Sequence, residues 1–438
     1  MIVAAQQARS ATARRFGAAV LSQAILSATN LCVGLMLIRH ATDAQYGAYV
    51  LVFNAILLAV SLQNAFFGPA MVARMTPLDR EARGEIVGGL YREQRRMLRP
   101  ASIAMAALLV VLWLCDGIDT PAMLLGLAAV AALTCALTRE YFRIALLSNR
   151  LSEQVVRGDL LYAGLLLVGV MVAIAAPEPA TAAVTAIALA AVGASLLLMR
   201  ALHAHAACDP NGAPGILSQI APLAAWSTAG AAIHWTFGQG YSYVAAAVLD
   251  VGAVAALAAT RLMLMPVMLL STGIASIMLP TAASWIQEHG SRVAMRRLLS
   301  AATMIALAAL GYFALMWLSR DWIFGTILEK HFAHRDELLL LWGAICLLSA
   351  MRDQLIYLLI ARQRFRRLTA LTACCATVSL TISYVAMIHL GVPGALLGVL
   401  AGEVLNIVGV ALMSRREVAT TAPREKASEP GDTDRLPF

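Results

Sequence analysis

Charge is what this sequence has least of. Only 13% of its 438 residues are Asp, Glu, Lys or Arg, against 60% that are hydrophobic, where soluble domains carry roughly a quarter charged. No polar stretch is long enough to form a soluble domain of its own. The GxxxxGK[ST], HExxH and GxSxG patterns of nucleotide, zinc and serine hydrolase chemistry are missing, so no residue set points to catalysis. Seven cysteines are present (Cys32, Cys115, Cys135, Cys208, Cys346, Cys374 and Cys375) without a CxxC pair, which indicates neither zinc nor redox chemistry. Six of them lie in or beside apolar runs and read as small buried hydrophobes. The short alternating segments of a membrane β-barrel are missing too.

What the sequence has instead is long apolar runs, and its mean hydropathy is +0.76. They fall near 16–38, 46–72, 101–115, 121–138, 159–176 and 182–199, then near 216–240, 252–280, 298–318, 337–360, 368–390 and 393–413. A helix needs roughly 20 apolar residues to cross a hydrocarbon core of about 30 Å, so the expected fold class is an all-α polytopic membrane protein of about twelve transmembrane helices. The run from Phe16 follows Arg9, Arg14 and Arg15 as in a signal peptide, but it is too long for one and reads as a retained first helix. The expected organisation is an N-terminus over 1–15, a first lobe over 16–199, a linker over 200–215, a second lobe over 216–413 and a disordered tail over 414–438. Six helices per half give both halves one orientation and predict a parallel repeat, faintly echoed by Leu21-Ser22-Gln23 and Leu217-Ser218-Gln219.

With twelve spans, 27 of the 33 Lys and Arg residues fall on one side and four on the other, while Arg261 and Arg352 lie within apolar runs. By the positive-inside rule both termini are expected in the cytoplasm. The net charge of +8 is scattered over membrane-proximal loops, which argues against nucleic acid as a partner and for membrane lipids. Arg92, Arg95, Arg96 and Arg99 recur at three- and four-residue spacing and predict a basic helix face against anionic lipid.

Three local patterns carry a resemblance to a known family. They are Asp43-Ala44-Gln45-Tyr46-Gly47-Ala48-Tyr49 opening helix two, Arg139-Glu140-Tyr141-Phe142-Arg143 after helix four, and the run from Thr260-Arg261 through Pro266 to Leu279-Pro280 in helix eight. With the order and spacing of spans over roughly 14–413, the chain resembles the polysaccharide transporter family, the flippases for O-antigen and exopolysaccharide repeat units. That resemblance implies two six-helix lobes arranged as a V around a central cavity, alternating access, and movement of a polyprenyl-pyrophosphate-linked oligosaccharide for surface or lipopolysaccharide biosynthesis. It further implies a polymerase and glycosyltransferases of the same pathway as partners, and coupling to Na+ or H+ with no bound cofactor. Two alternatives stay open: a multidrug or cation antiporter of the same superfamily, and a membrane polymerase or glycosyltransferase. A polymerase would carry a large outward loop, and 319–336 is modest.

Ionisable groups at membrane depth usually face a cavity or a partner, and they supply the candidate residues. Arg352 and Asp353 in span ten are expected to bind substrate, Asp353 also sensing a cation or proton; holding the second lobe together is the alternative. Arg261 in span eight offers a guanidinium fork suited to phosphate oxygens, or snorkels to an interface. His234, Asp250 and Asp159 are weaker candidates for ion or proton coupling, against helix capping and local hydrogen bonding. Gln23, Ser27 and Asn30 share one side of helix one; with Asn54 and Asn64 of helix two they are expected to line a hydrated cavity or to serve as interhelical glue. Arg139, Glu140 and Arg143 are expected at the cytoplasmic end of helix four, in contact with an anionic head group.

Overall fold

The computed structural model describes residues 2–205 and 215–426. Its helices are α1 (Ile2–His40), α2 (Asp43–Met75), α3 (Arg80–Leu114), α4 (Thr120–Ser148), α5 (Ser152–Ala173), α6 (Pro179–His205), α7 (Ile216–Val248), α8 (Val251–Leu262), α9 (Met265–Trp322), α10 (Arg335–Ala361), α11 (Phe365–Leu390) and α12 (Val392–Lys426). A π-helical turn over Ile323–Ile327 follows α9. Ten of the described helices are long and apolar enough to cross a membrane, or eleven when the bent α7 is taken as one span. The chain is therefore an all-α polytopic membrane protein.

Short polar signals set the helix starts. Thr42 and Gln45 form a reciprocal capping box at α2, with the Gln45 N–H donating to Thr42 Oγ1 at 3.3 Å and the Thr42 N–H donating to Gln45 Oε1 at 3.2 Å. Asp79 and Asp119 cap α3 and α4 by accepting from Ala82 N at 3.0 Å and Ala122 N at 2.9 Å. Each cap satisfies a backbone donor that the first helical turn leaves open. At the other end of the chain Gly391, with φ +67°, makes the tight turn between α11 and α12.

Two features depart from the spans expected from hydropathy. Span eight, expected over 252–280, is broken after Leu262 into α8 and the start of α9, so Thr260-Arg261 and Pro266 lie on different helices. Leu279-Pro280 does not end a helix, because α9 runs on to Gly290, where a φ of 78° and ψ of 165° separate it from the helix expected at 298–318. Pro280 removes one backbone donor and bends a helix without ending it, while the extended ψ with positive φ at Gly290 suits a residue without a Cβ. The tail expected over 414–438 also starts inside a helix: α12 continues to Lys426, and the buried Glu417 accepts from Arg364 Nη2 at 3.1 Å. Cys208 and residues 427–438 lie outside the described residues.

Contacts divide the chain into two compact units. The first comprises Met1–Leu262 with Phe324–Phe332, and the second comprises Met263–Ile323 with Ala333–Phe438. In the first, α4 and α5 pack on α6, whose inner stripe is Ala183, Ile187, Ala190, Ala191 and Ala194, each almost fully buried. Lipid is as apolar as any side chain, so small residues that let helices approach closely replace the hydrophobic drive of a soluble core. Tyr141 anchors this unit's core among Phe67, Leu90 and Leu146, with its hydroxyl donating to Val87 O at 2.6 Å. The segment Phe324–Phe332 is tied to the same unit by Lys330, which donates to Ala41 O at 3.0 Å and pairs with Asp43 at 3.1 Å. In the second unit α10 packs on α9 and α12, and α11 on α12, around Leu298, Leu358, Leu359 and Val410.

Candidate functional site

Among the described residues each unit holds a cluster of charged side chains built on an Arg-acid dipeptide inside its bundle: Arg139-Glu140 of α4 in the first and Arg352-Asp353 of α10 in the second. The two clusters are constructed differently, and the difference is one of charge balance.

In the first unit Asp159 of α5 is fully buried and is held from three sides. Arg139 Nη2 donates to it at 2.5 Å, Arg143 pairs with it at 3.0 Å through Nε and donates at 3.1 Å through Nη2, and Ser22 of α1 donates from its hydroxyl. Arg143 Nη1 also bridges both oxygens of Glu140 at 2.8 Å, and Asn64 of α2 donates to Glu140 as well. The Arg139 guanidinium stacks 3.8 Å from the centre of the Tyr162 ring. Two arginines thus meet two carboxylates, and the cluster ties α1, α2, α4 and α5 with no net charge. A balanced, hydrogen-bonded group is the form in which charges survive in a low-dielectric interior.

This arrangement corrects the expected end of helix four. Arg139 and Glu140 are buried, and α4 continues ten residues beyond the expected boundary at 138, to Ser148. The charges ended the apolar run in the sequence, yet they neutralise each other inside the bundle. Removing Arg139 and Arg143 from the 27 leaves 25 basic residues on the expected cytoplasmic side against four, so the asymmetry survives.

In the second unit Arg352 lies among two carboxylates. Its Nη1 donates to Glu403 of α12 at 2.5 Å, and its Nη2 and Nε donate to Asp353 at 2.8 and 3.1 Å. Arg352 and Glu403 are buried, while the Asp353 side chain is 36% exposed. One cation between two carboxylates leaves an excess negative charge in this cluster. Asn406, buried one turn after Glu403, adds a polar side chain on the same part of α12.

The remaining candidates are spread out. Arg261 ends α8 and is tethered to α7, donating to Gln239 Oε1 at 2.6 Å and to the Tyr241 hydroxyl at 3.3 Å. Asp250 caps α8 by accepting from Ala253 N at 2.7 Å. His234 is exposed on α7. On helix one Gln23 is exposed, Ser27 is buried and Asn30 is intermediate, so the three do not present a single environment; Asn54 is buried on α2. The glue between α2, α3 and α4 is Gln63, which donates to Leu137 O at 2.8 Å and accepts from Gln94.

Sequence reasoning missed Ser22, Glu403 and the partnership of Asp159 with Arg139. Glu403 carried a readable signal, since an acid in the apolar run 393–413 demands a partner as Arg352 does. Ser22 carried none, because a serine in a membrane helix commonly bonds to its own backbone.

No protein-family model and no curated protein matches the chain. Among solved structures it is similar to a multidrug resistance MATE family transporter of the MOP superfamily in an inward-facing conformation, with a TM-score of 0.76 at 15% identity over 94% of this chain and 100% of that one. It is similar to a MATE transporter in complex with MaL6, with a TM-score of 0.66 at 16% identity over 94% and 97%. A MOP superfamily transporter from Pyrococcus furiosus, described as having a binding pocket of reverse polarity, gives 0.65 at 15% over 94% and 96%.

These matches overturn the resemblance to polysaccharide flippases, and with it the polyprenyl-linked glycan substrate, the polymerase and glycosyltransferase partners and the surface-polysaccharide role. The three patterns that carried the resemblance have local explanations. Asp43–Tyr49 holds a capped helix start whose Gly47 lies against the Val251 backbone, Arg139–Arg143 is an internal ion-pair network, and Leu279-Pro280 is a point inside α9. The chain shares the all-α fold of the MATE transporters of the MOP superfamily.

Proposed function

We propose that the chain is a secondary transporter that moves small organic cations across the membrane by alternating access, in exchange for H+ or Na+. The observation that carries this reading is the cluster of Arg352, Asp353 and Glu403, set on the fold of a multidrug transporter. Among the described residues Arg352 is the one cation paired with the cluster's two carboxylates. In a membrane interior an uncompensated charge is costly, so a proton or a small cation completes the site, and release of that ion makes the site attractive to a cationic substrate. A ligand that shifts between such states couples two fluxes through its differential affinity for them.

In this reading Asp353, the more exposed acid, meets the incoming ion, and Glu403 with Arg352 holds it in place. Asp159, with both of its arginines present, serves as a lock within the first unit. The arginine asymmetry supports placing both termini in the cytoplasm of a bacterial inner membrane.

The test uses proteoliposomes loaded with a fluorescent organic cation, with an inward gradient of H+ or of Na+ imposed. Dye efflux should follow one of the two gradients and stop when an ionophore collapses it. Efflux indistinguishable from protein-free vesicles under both gradients would overturn the proposal.

A further inference from the structure

The first unit carries a second polar feature that the transport reading leaves unused. A cavity of about 640 Å³ is lined by Gly88, Tyr91, Arg92, Arg95, Arg96, Arg99, Pro100, Phe142, Met199 and His203. Four arginines from one helix line it, and no Asp or Glu does among the described residues.

The sequence of α3 sorts its polar residues around the helix. Gln94 is buried and bonds to Gln63 and Leu137, and Glu93 accepts from the backbone of Gly215 and from Leu217 N at 2.8 Å. The nearest acid on the helix is therefore engaged at the start of α7. Arg92, Arg95, Arg96 and Arg99, at spacings of three and four, share the cavity side. Arg95, Arg96 and Arg99 are exposed and form no ion pair among the described residues. Tyr91, Phe142 and Met199 give the cavity an apolar wall.

Immediately after Arg99 the helix becomes an apolar rod. The most hydropathic stretch of α3 contains no buried residue, and Ile103, Ala107 and Leu114, on the side of the arginines, are exposed along it. A basic cavity thus opens where an unpaired, lipid-facing apolar surface begins. A soluble anion would use only the first of these features, and an amphiphile with phosphate at one end uses both.

We propose that this cavity is a binding site for an anionic phospholipid, favouring one with two phosphates such as cardiolipin. Phosphate oxygens accept from the guanidinium forks of Arg95, Arg96 and Arg99, and the acyl chains lie along Ile103, Ala107 and Leu114, on the same side of α3. The site does not depend on which substrate or ion the protein transports.

Native mass spectrometry of the purified, delipidated chain tests the proposal. Cardiolipin, phosphatidylglycerol, phosphatidylethanolamine and inorganic pyrophosphate are titrated against the wild type, against an Arg95→Gln/Arg96→Gln/Arg99→Gln variant, and against an Arg292→Gln/Arg296→Gln/Arg366→Gln variant. The second variant removes the same charge from exposed positions of the other unit. The first should lose cardiolipin affinity by roughly a hundredfold, from three phosphate contacts, while the second stays within about threefold of wild type. Equal losses in both variants, no loss in either, or a preference for phosphatidylethanolamine would overturn the site. Pyrophosphate binding as tight as cardiolipin would overturn the assignment of a lipid occupant.

Discussion

Replacing Asp159 with Asn tests whether the first unit's charge cluster is a structural lock. Among the described residues Asp159 is the carboxylate that Arg139 reaches directly, at 2.5 Å, whereas Arg143 keeps Glu140 at 2.8 Å. The substitution therefore leaves one buried guanidinium without its counter-charge and another with it. Stranding one member of a buried pair costs about 3–5 kcal/mol. For a cooperative unit of roughly 250 residues each kcal/mol moves the melting temperature by about 2 °C, so the variant should melt roughly 6–10 °C below wild type in detergent. Asp159→Asn/Arg139→Gln removes both charges and should regain more than half of that loss, a coupling on the order of 1–3 kcal/mol. Melting is followed by the temperature dependence of monodisperse protein on a sizing column. A single variant within about 2 °C of wild type, or a double variant as unstable as the two singles combined, would refute the lock.

Further expectations rest on other contacts. Asp250→Ala removes the cap of α8 and should cost about 1 kcal/mol while leaving ion-driven transport intact, a combination that thermal melting and a vesicle assay can read together. Gly398→Ala would drive a Cβ into Ser383 and the backbone of Ser379 where α11 meets α12. That overpacking should cost about 1–3 kcal/mol, visible as a lower melting temperature, and a neutral result would mean the two helices have room to part. Arg352→Gln leaves Glu403 and Asp353 facing each other without their cation; it should destabilise the chain by about 3–5 kcal/mol, and Glu403→Gln in the same chain should recover part of this.

Hydropathy made the architecture legible because membrane helices must satisfy their own backbones and present apolar surfaces to lipid. The boundaries failed where charge is internal. Arg139 and Arg143 looked like the end of helix four because a sequence shows a charge but not its partner, and the partner Asp159 lies 20 residues from Arg139 on the next helix. Span eight hid its break at Met263–Leu264, since both flanks are equally apolar. Arg352 was legible as an intramembrane charge, and Glu403 should have been read by the same rule. The functional resemblance failed for another reason: its motifs were short, and capping, close packing and ion pairing in any large helical bundle select the same residue types.

In the proposed mechanism the two buried clusters divide their work, the balanced one holding a bundle together and the unbalanced one taking up the coupling ion. The most direct measurement compares Glu403→Gln with Asp159→Asn in the same proteoliposome assay, each scored for dye efflux under an imposed H+ or Na+ gradient and for melting temperature. Glu403→Gln should melt within a few degrees of wild type and lose gradient-driven efflux, whereas Asp159→Asn should melt markedly lower while its folded fraction still couples. Gradient-driven efflux that persists in Glu403→Gln and vanishes in fully folded Asp159→Asn would contradict the claim.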